Sequence, residues 1–293
     1  MNIDRRFLLG GMAGTAALAP FLALERAMAQ VPAAPANPSV AEQKAMEARH
    51  MEAMNKVLGP GLWGQEQIAM LVYPKFTALD LVGPHYFFAC MFGAKVHLVT
   101  TEKDLTPVAS DLGLAIAPTI TMADCPKDLD LVFVPGGTEG TMAVMNNPAA
   151  IAWLADRASR AKHITSVCTG SMILGKAGLL KGKRATSHWV ARPVLADFGA
   201  TPVDERVVTD GKVTTGAGVS AGIDFGIAVV AALRGRAYAE ALMLQAEYAP
   251  EPPFPGGTLA TTPPAVGTMM YEMFAPLEGQ FRAIAMKETK SSS

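Results

Sequence analysis

Four short apolar runs punctuate the first part of the chain: "QIAMLVYP" (67–74), "AKVHLVTT" (94–101), "LDLVFVPGG" (129–137) and "HITSVC" (163–168). Their hydrophobic residues are largely consecutive rather than alternate, so each predicts a strand buried on both faces. Between them hydrophobic residues return at helical spacing, which predicts helices over Leu79–Phe92, Thr141–Ala161 and Thr169–Leu180. "RVVTDGKVTTG" (206–216) predicts two strands about an Asp-Gly turn, and helices are expected over 218–235 and 236–248. Strands alternating with helices imply an α/β domain over 66–248, with a mostly parallel sheet covered on both faces.

The ends of the chain have a different pattern. Residues 1–29 begin with Arg5 and Arg6, continue apolar from Phe7 to Leu24 and finish on Ala27-Met28-Ala29. This predicts an export signal of twin-arginine type, with the export machinery as a partner and a periplasmic or otherwise exported location; an uncleaved anchor is the alternative. Residues 30–65 read as a Pro/Ala-rich linker, "VPAAPANP" (31–38), and an amphipathic helix over 39–58. That helix would start near Ser39 and Gln43 and stop at Gly59-Pro60. His50 and the methionines on it fit a solvated face better than a metal site, because no second ligand cluster joins them. Residues 249–293 are Pro-rich and loop-like, and end on "KETKSSS".

Composition narrows the function classes. Half of the 293 residues are hydrophobic and 17% are charged, enough to bury a sizeable core, and the formal net charge is -1. No long basic run appears, which argues against a nucleic-acid partner held through phosphates. Three cysteines are too few for a disulfide scaffold and too scattered for zinc. No metal or organic cofactor is expected.

Cys168 falls where a buried strand gives way to a helix, and open parallel sheets bind ligands beyond the carboxyl ends of their strands. This position resembles a nucleophile elbow, and a helix N-terminus would lower the thiol's pKa; a buried structural cysteine is the competing reading. Gly136-Gly137 ends another buried strand. The N–H of Gly137 with that of Thr169 would form an oxyanion pair. Asp80 follows the first strand among apolar residues, which suits a carboxyl of raised pKa and acid–base work, or else a first-turn helix residue. His188 could orient or deprotonate Cys168, or cap the pocket with Trp189 beneath. His97 and His163 sit inside strand-like runs and read as structural.

In order along residues 66–256, "LVYPKFTALDLVGP", "LVFVPGG", "SVCTGSMILGKAGLLKGKRATSHW", "TTGAGVSAGIDFGI" and "AEYAPEPPFPGG" resemble the ThiJ/PfpI family of the class I glutamine amidotransferase-like superfamily. The isonitrile hydratases are the most similar subgroup. The resemblance implies a flavodoxin-like three-layer sandwich, usually a homodimer. It implies Cys168 as nucleophile, Asp80 as its acid–base partner, Thr169 as assisting neighbour, Gly137 with Thr169 at the oxyanion positions, Gly136 among the oxyanion or substrate-binding residues and His188 in the pocket. Protease-like members carry His directly after the cysteine, and Thr169 stands here instead, which argues against peptidase activity. DNA-reading relatives carry a C-terminal helix-turn-helix for which this tail is too short. The implied activity is hydration of an isonitrile, or a similar small electrophile, to an N-substituted formamide. Redox sensing, a glyoxalase- or deglycase-like activity, and binding without turnover are the alternatives built on the same cysteine.

Overall fold

The structure is a computed structural model and describes residues 37–289, with side chains through residue 286. The export signal expected over 1–29 and the first part of the expected linker lie outside the described residues. The described residues divide into two units between Ala53 and Met54. Helix α1 spans Val40–Leu58 and buries none of its residues. Ser39 caps it: its N–H and its hydroxyl each donate to the Glu42 carboxylate at 2.7 Å, and its Oγ accepts from the Glu42 N–H at 3.3 Å. This is a reciprocal capping box, so the residue that fixes the helix start is Glu42 rather than Gln43.

The second unit carries strands β1 (Gln67–Val72), β2 (Lys95–Thr100), β3 (Val108–Ala109), β4 (Ala115–Ile116), β5 (Ile120–Thr121), β6 (Leu131–Val134), β7 (His163–Val167), β8 (Arg184–Ala185), β9 (Thr201–Pro202), β10 (Val207–Asp210) and β11 (Val213–Gly216). Seven of them form one sheet in the order β10-β11-β7-β6-β1-β2-β5. Neighbours run parallel except β10, which pairs antiparallel with β11. All but the first residue of β1 and the whole of β6 are buried, as their unbroken apolar runs require. The chain builds outward from β1 to β2 and β5, then returns to the other side of β1 with β6, β7 and β11. The switch in direction therefore falls between β1 and β6, where such sheets open a crevice at their carboxyl ends.

The helices are α2 (Ala78–Ala89), α3 (Glu139–Met145), α4 (Pro148–Arg160), α5 (Gly170–Lys176), α6 (Ala221–Arg234), α7 (Arg236–Gln245) and α8 (Pro264–Thr289). α2 and α6 approach closely because Gly222 and Gly226 present no side chain. A Cβ on Gly226 would lie 3.2 Å from Pro84 Cα and 3.0 Å from a Phe87 ring carbon.

Two sequence expectations change. The single helix expected over 141–161 is two, because Pro148 cannot continue α3, while Asn147 caps α4 by accepting from the N–H groups of Ala149 and Ala150. The loop-like C-terminal extension contains α8, whose Phe281 is fully buried and whose Arg282 pairs with Asp197 at 2.7 Å. Pro263, Pro264, Gly267, Pro276 and Gly279 obscure its period in the sequence. Pro264 is nevertheless compatible with a first helical position, where its missing N–H costs nothing.

Candidate active site

Three strand ends meet at the switch point. β1 leads to Asp80 in the first turn of α2, β6 leads to Gly136-Gly137, and β7 leads to Cys168. Cys168 has φ 58, in the left-handed region that only glycine enters freely, at a cost of about 1–2 kcal/mol for other residues. Hydrogen bonds at both ends of the residue hold it there. Its N–H donates to the carbonyls of Gly216 (3.1 Å) and Ala217 (2.8 Å), and its carbonyl accepts from the hydroxyls of Ser171 and Ser187, both at 3.0 Å. A backbone strained and pinned in this way turns the side chain back toward the neighbouring strand ends, the geometry of an elbow.

The thiol is paired with a carboxyl. Asp80 is fully buried, and its Oδ2 accepts from the Gly136 N–H at 2.9 Å, while Oδ1 has no hydrogen-bond partner. Burial pushes the Asp80 carboxyl up to about 7, against hydrogen bonds from Gly136 and the Cys168 thiol that favour its charged form. Cys168 is 5% exposed. Burial drives its thiol well above the usual range, and the Asp80 charge adds to the rise, whereas the Thr169 N–H and hydroxyl oppose it. The expected depressed pKa is thus overturned. α5 is only seven residues long, and its N-terminal field is outweighed by loss of solvent and an adjacent acid. At rest the site holds a neutral thiol beside a carboxyl that titrates near neutrality.

Of the expected oxyanion pair, the Gly137 N–H is engaged within the protein, and the Thr169 N–H bonds the Cys168 sulfur. The Gly137 N–H donates to Thr169 Oγ1 at 2.9 Å, and the Gly136 N–H is held by Asp80. Thr169 Oγ1 lies 2.5 Å from the Gly137 carbonyl and 3.0 Å from Thr141 Oγ1, and Thr141 in turn reaches the Tyr73 hydroxyl at 3.3 Å. Neither glycine donor is free to meet a substrate oxygen. The glycines serve close packing instead: a Cβ on Gly136 would lie 2.7 Å from Asp80 Oδ2 and from the Thr169 nitrogen.

Among the described residues no hydrogen bond joins His188 to the Cys168 thiol. Its ring stands 5.6 Å from Trp189 and 5.8 Å from Phe274 of α8, centroid to centroid, and faces Gly218. Burial and then the Arg192 charge lower its pKa to about 4, so it is neutral at pH 7. Of the two roles left open for it, pocket wall is the one its position supports. It lines a cleft of about 710 Å³ together with Ser187 and Ala217, both hydrogen-bonded to the Cys168 backbone, and with Leu79, Arg192 and Leu259. Sequence reasoning missed Tyr73, Thr141, Ser187 and Arg192. Tyr73 closes the first apolar run and Ser187 stands beside His188, so both could have been noticed; Thr141 and Arg192 carry no local signal. His97, read as structural, bonds to the Gln67 side chain at 2.9 Å. All three cysteines are free thiols.

A sequence profile described as the DJ-1/PfpI family matches residues 66–232. The chain belongs to the DJ-1/PfpI family. It is 46% identical to an isonitrile hydratase of Pseudomonas putida over 68% of this chain and 86% of that protein. The crystal structure of a ThiJ/PfpI family protein from Pseudomonas syringae superposes with a TM-score of 0.76 at 48% identity, over 88% of this chain and 99% of that one. A deglycase of the same family from Pyrococcus furiosus is 26% identical over 50% of this chain and 86% of its own length.

Proposed function

We propose that this DJ-1/PfpI protein is a cysteine-dependent hydro-lyase that converts an isonitrile to an N-substituted formamide. The observation that carries this reading is the buried Cys168–Asp80 pair, a neutral thiol beside a carboxyl whose pKa is about 7. Isonitrile carbon accepts a nucleophile and a proton at the same atom, so the reaction calls for a proton shuttle next to sulfur. It develops no carbonyl oxyanion in its first step, in keeping with glycine donors already engaged by Asp80 and Thr169.

Asp80 takes the thiol proton as sulfur forms its bond to the terminal carbon. That proton passes to the same carbon and leaves a thioimidate. Asp80, ionised again, takes a proton from water as the oxygen adds to the carbon, and delivers it to nitrogen. The remaining hydroxyl proton returns by way of Asp80 to sulfur as the carbon–sulfur bond breaks. One water is consumed, the free thiol is regenerated and the formamide departs. Thr169 and the Tyr73–Thr141 network hold the elements together around the pair.

Similarity to the Pseudomonas putida isonitrile hydratase supports this choice over a glyoxalase- or deglycase-like reaction, which would place charge on a carbonyl oxygen. A sulfenic-acid sensor needs an accessible thiolate, and the raised Cys168 pKa speaks against that. In this reading the folded enzyme acts outside the cytoplasm after export directed by residues 1–29, and works as a homodimer. Cell fractionation and sedimentation check those two parts. A panel of isonitriles, dicarbonyls, amides and peptides, run beside Cys168→Ser, tests the reaction. Formamide release lost in the variant is expected. Consumption of methylglyoxal with no isonitrile turnover would replace the reading with the glyoxalase one.

A further inference from the structure

The cleft that reaches Ser187 and Ala217, whose hydroxyl and carbonyl bond the Cys168 backbone, is lined by both hydrocarbon and charge. Leu79, Trp189, Val219 and Leu259 supply apolar surface, and Arg192, Asp204, Glu205 and Arg206 lie along the same walls. A small neutral isonitrile would use none of the charges. They differ in how far each is already committed. The Arg206 guanidinium is bonded to Asp224 and to Ser220 Oγ (3.3 Å), and Asp224 is held again by the Tyr248 hydroxyl at 3.0 Å. Glu205 is taken by Arg184 at 3.1 Å.

Arg192 is different. It sits one turn after His188, its N–H bonded to the His188 carbonyl at 2.9 Å. Its side chain is 19% exposed, and among the described residues its guanidinium has one partner, Asp204, whose side chain is 82% exposed. A guanidinium has five donors in a fork that fits a carboxylate edge-on. The desolvated member of the pair is thus the cation, while its anion stands in water and can be exchanged. A second carboxylate arriving from the cleft would gain a paired, charge-assisted contact with little further desolvation of the arginine. His188, neutral at pH 7, adds no competing charge.

We propose that Arg192 is a carboxylate subsite, and that the substrates of this enzyme are isonitriles bearing a carboxylate, released as N-formyl acids. This rests on the hydratase reading for the identity of the reacting end. The carboxylate subsite itself does not depend on turnover. The isocyano end would lie by Ser187 and Ala217, the hydrocarbon against Leu79 and Leu259, and the carboxylate on Arg192.

The test is a calorimetric titration of the full chain with N-formylleucine and with its methyl ester, which are product-like and need no chemistry. The acid is expected to bind about tenfold tighter than the ester, the size of one added charge-assisted contact. Arg192→Met should erase that preference and leave ester binding in place, Arg192→Lys should retain part of it, and Arg206→Met should keep it. Equal affinity for acid and ester, a preference that survives Arg192→Met, or no saturable binding of either would overturn the proposal. A preference for the acid in a chain that hydrates no isonitrile would sink the hydratase reading alone. Hydration of neutral isonitriles without any acid preference would sink the subsite alone.

Discussion

The two ends of the central sheet treat their acids in opposite ways. At the amino ends of β1 and β6, Glu66 and Asp130 are matched by cations. Arg234 donates through Nε and Nη2 to the Glu66 carboxylate at 2.6 and 2.5 Å, and Lys162 reaches Asp130 at 2.7 Å while the Gln67 N–H donates to it at 2.8 Å. Burial pushes both carboxyls up, but these partners more than reverse it, and both sit below the ordinary range. At the carboxyl ends Asp80 has no cation. Its partners are one backbone N–H and a thiol, and it rises to about 7. The same side-chain chemistry is neutralised by cations at one edge and left without one at the other, where the proposed reaction would use it for proton transfer.

The largest effects should come from removing Cys168 or Asp80. Cys168→Ala should leave no formamide formation above the uncatalysed background. Asp80→Asn should lower kcat by about 10²–10⁴-fold, the usual worth of general acid–base catalysis, with Cys168 still titratable by a thiol reagent in the unfolded chain. Equal turnover by either variant would dissolve the contrast between the two edges.

On stability the order reverses. Glu66→Gln strips the counter-charge from Arg234, which is 8% exposed, and should cost about 3–5 kcal/mol in urea denaturation, as for other broken buried pairs. Activity of the protein that remains folded should be unchanged.

Asp80→Asn should instead stabilise the protein at alkaline pH. The folded pKa of Asp80 lies above its unfolded value, so the native state holds the proton more tightly, and stability falls as pH rises from about 4 to about 7. The variant escapes that loss, with a gain above pH 7 of at most a few kcal/mol at about 1.4 kcal/mol per pKa unit. Tm curves for wild type and variant should converge below about pH 4. Parallel curves would mean that Asp80 is not the titrating group.

The smallest effect is also the most specific. kcat/KM should rise through about pH 7 as Asp80 ionises, and no limb should appear near pH 4 from His188. Imidazole resonances in NMR should show His188 neutral down to about pH 4. A ring that protonates near 6.5 would return His188 to the list of candidate bases.

Much of this architecture could be read before any coordinates. Consecutive apolar residues marked β1, β2, β6 and β7 within a residue or two at most boundaries, and the placement of Asp80, Gly136 and Cys168 at the ends of three such runs located one edge of one sheet. α8 escaped because prolines and glycines interrupt its pattern, and because the face that buries Phe281 is defined by what it packs on rather than by its own period.

The sequence by itself determined the order of strands and helices, since each run must bury its apolar faces, and with that order the convergence of thiol and carboxyl at the switch between β1 and β6. It could not determine the protonation state of that pair. Ionisation depends on which groups from distant segments replace water around each atom, and only the folded chain sets Gly136 against Asp80, Thr169 against Gly137 and Arg192 against the ring of His188. Solvent exclusion is a property of the whole packed interior, so the neutral thiol and the engaged glycine donors became visible only in three dimensions.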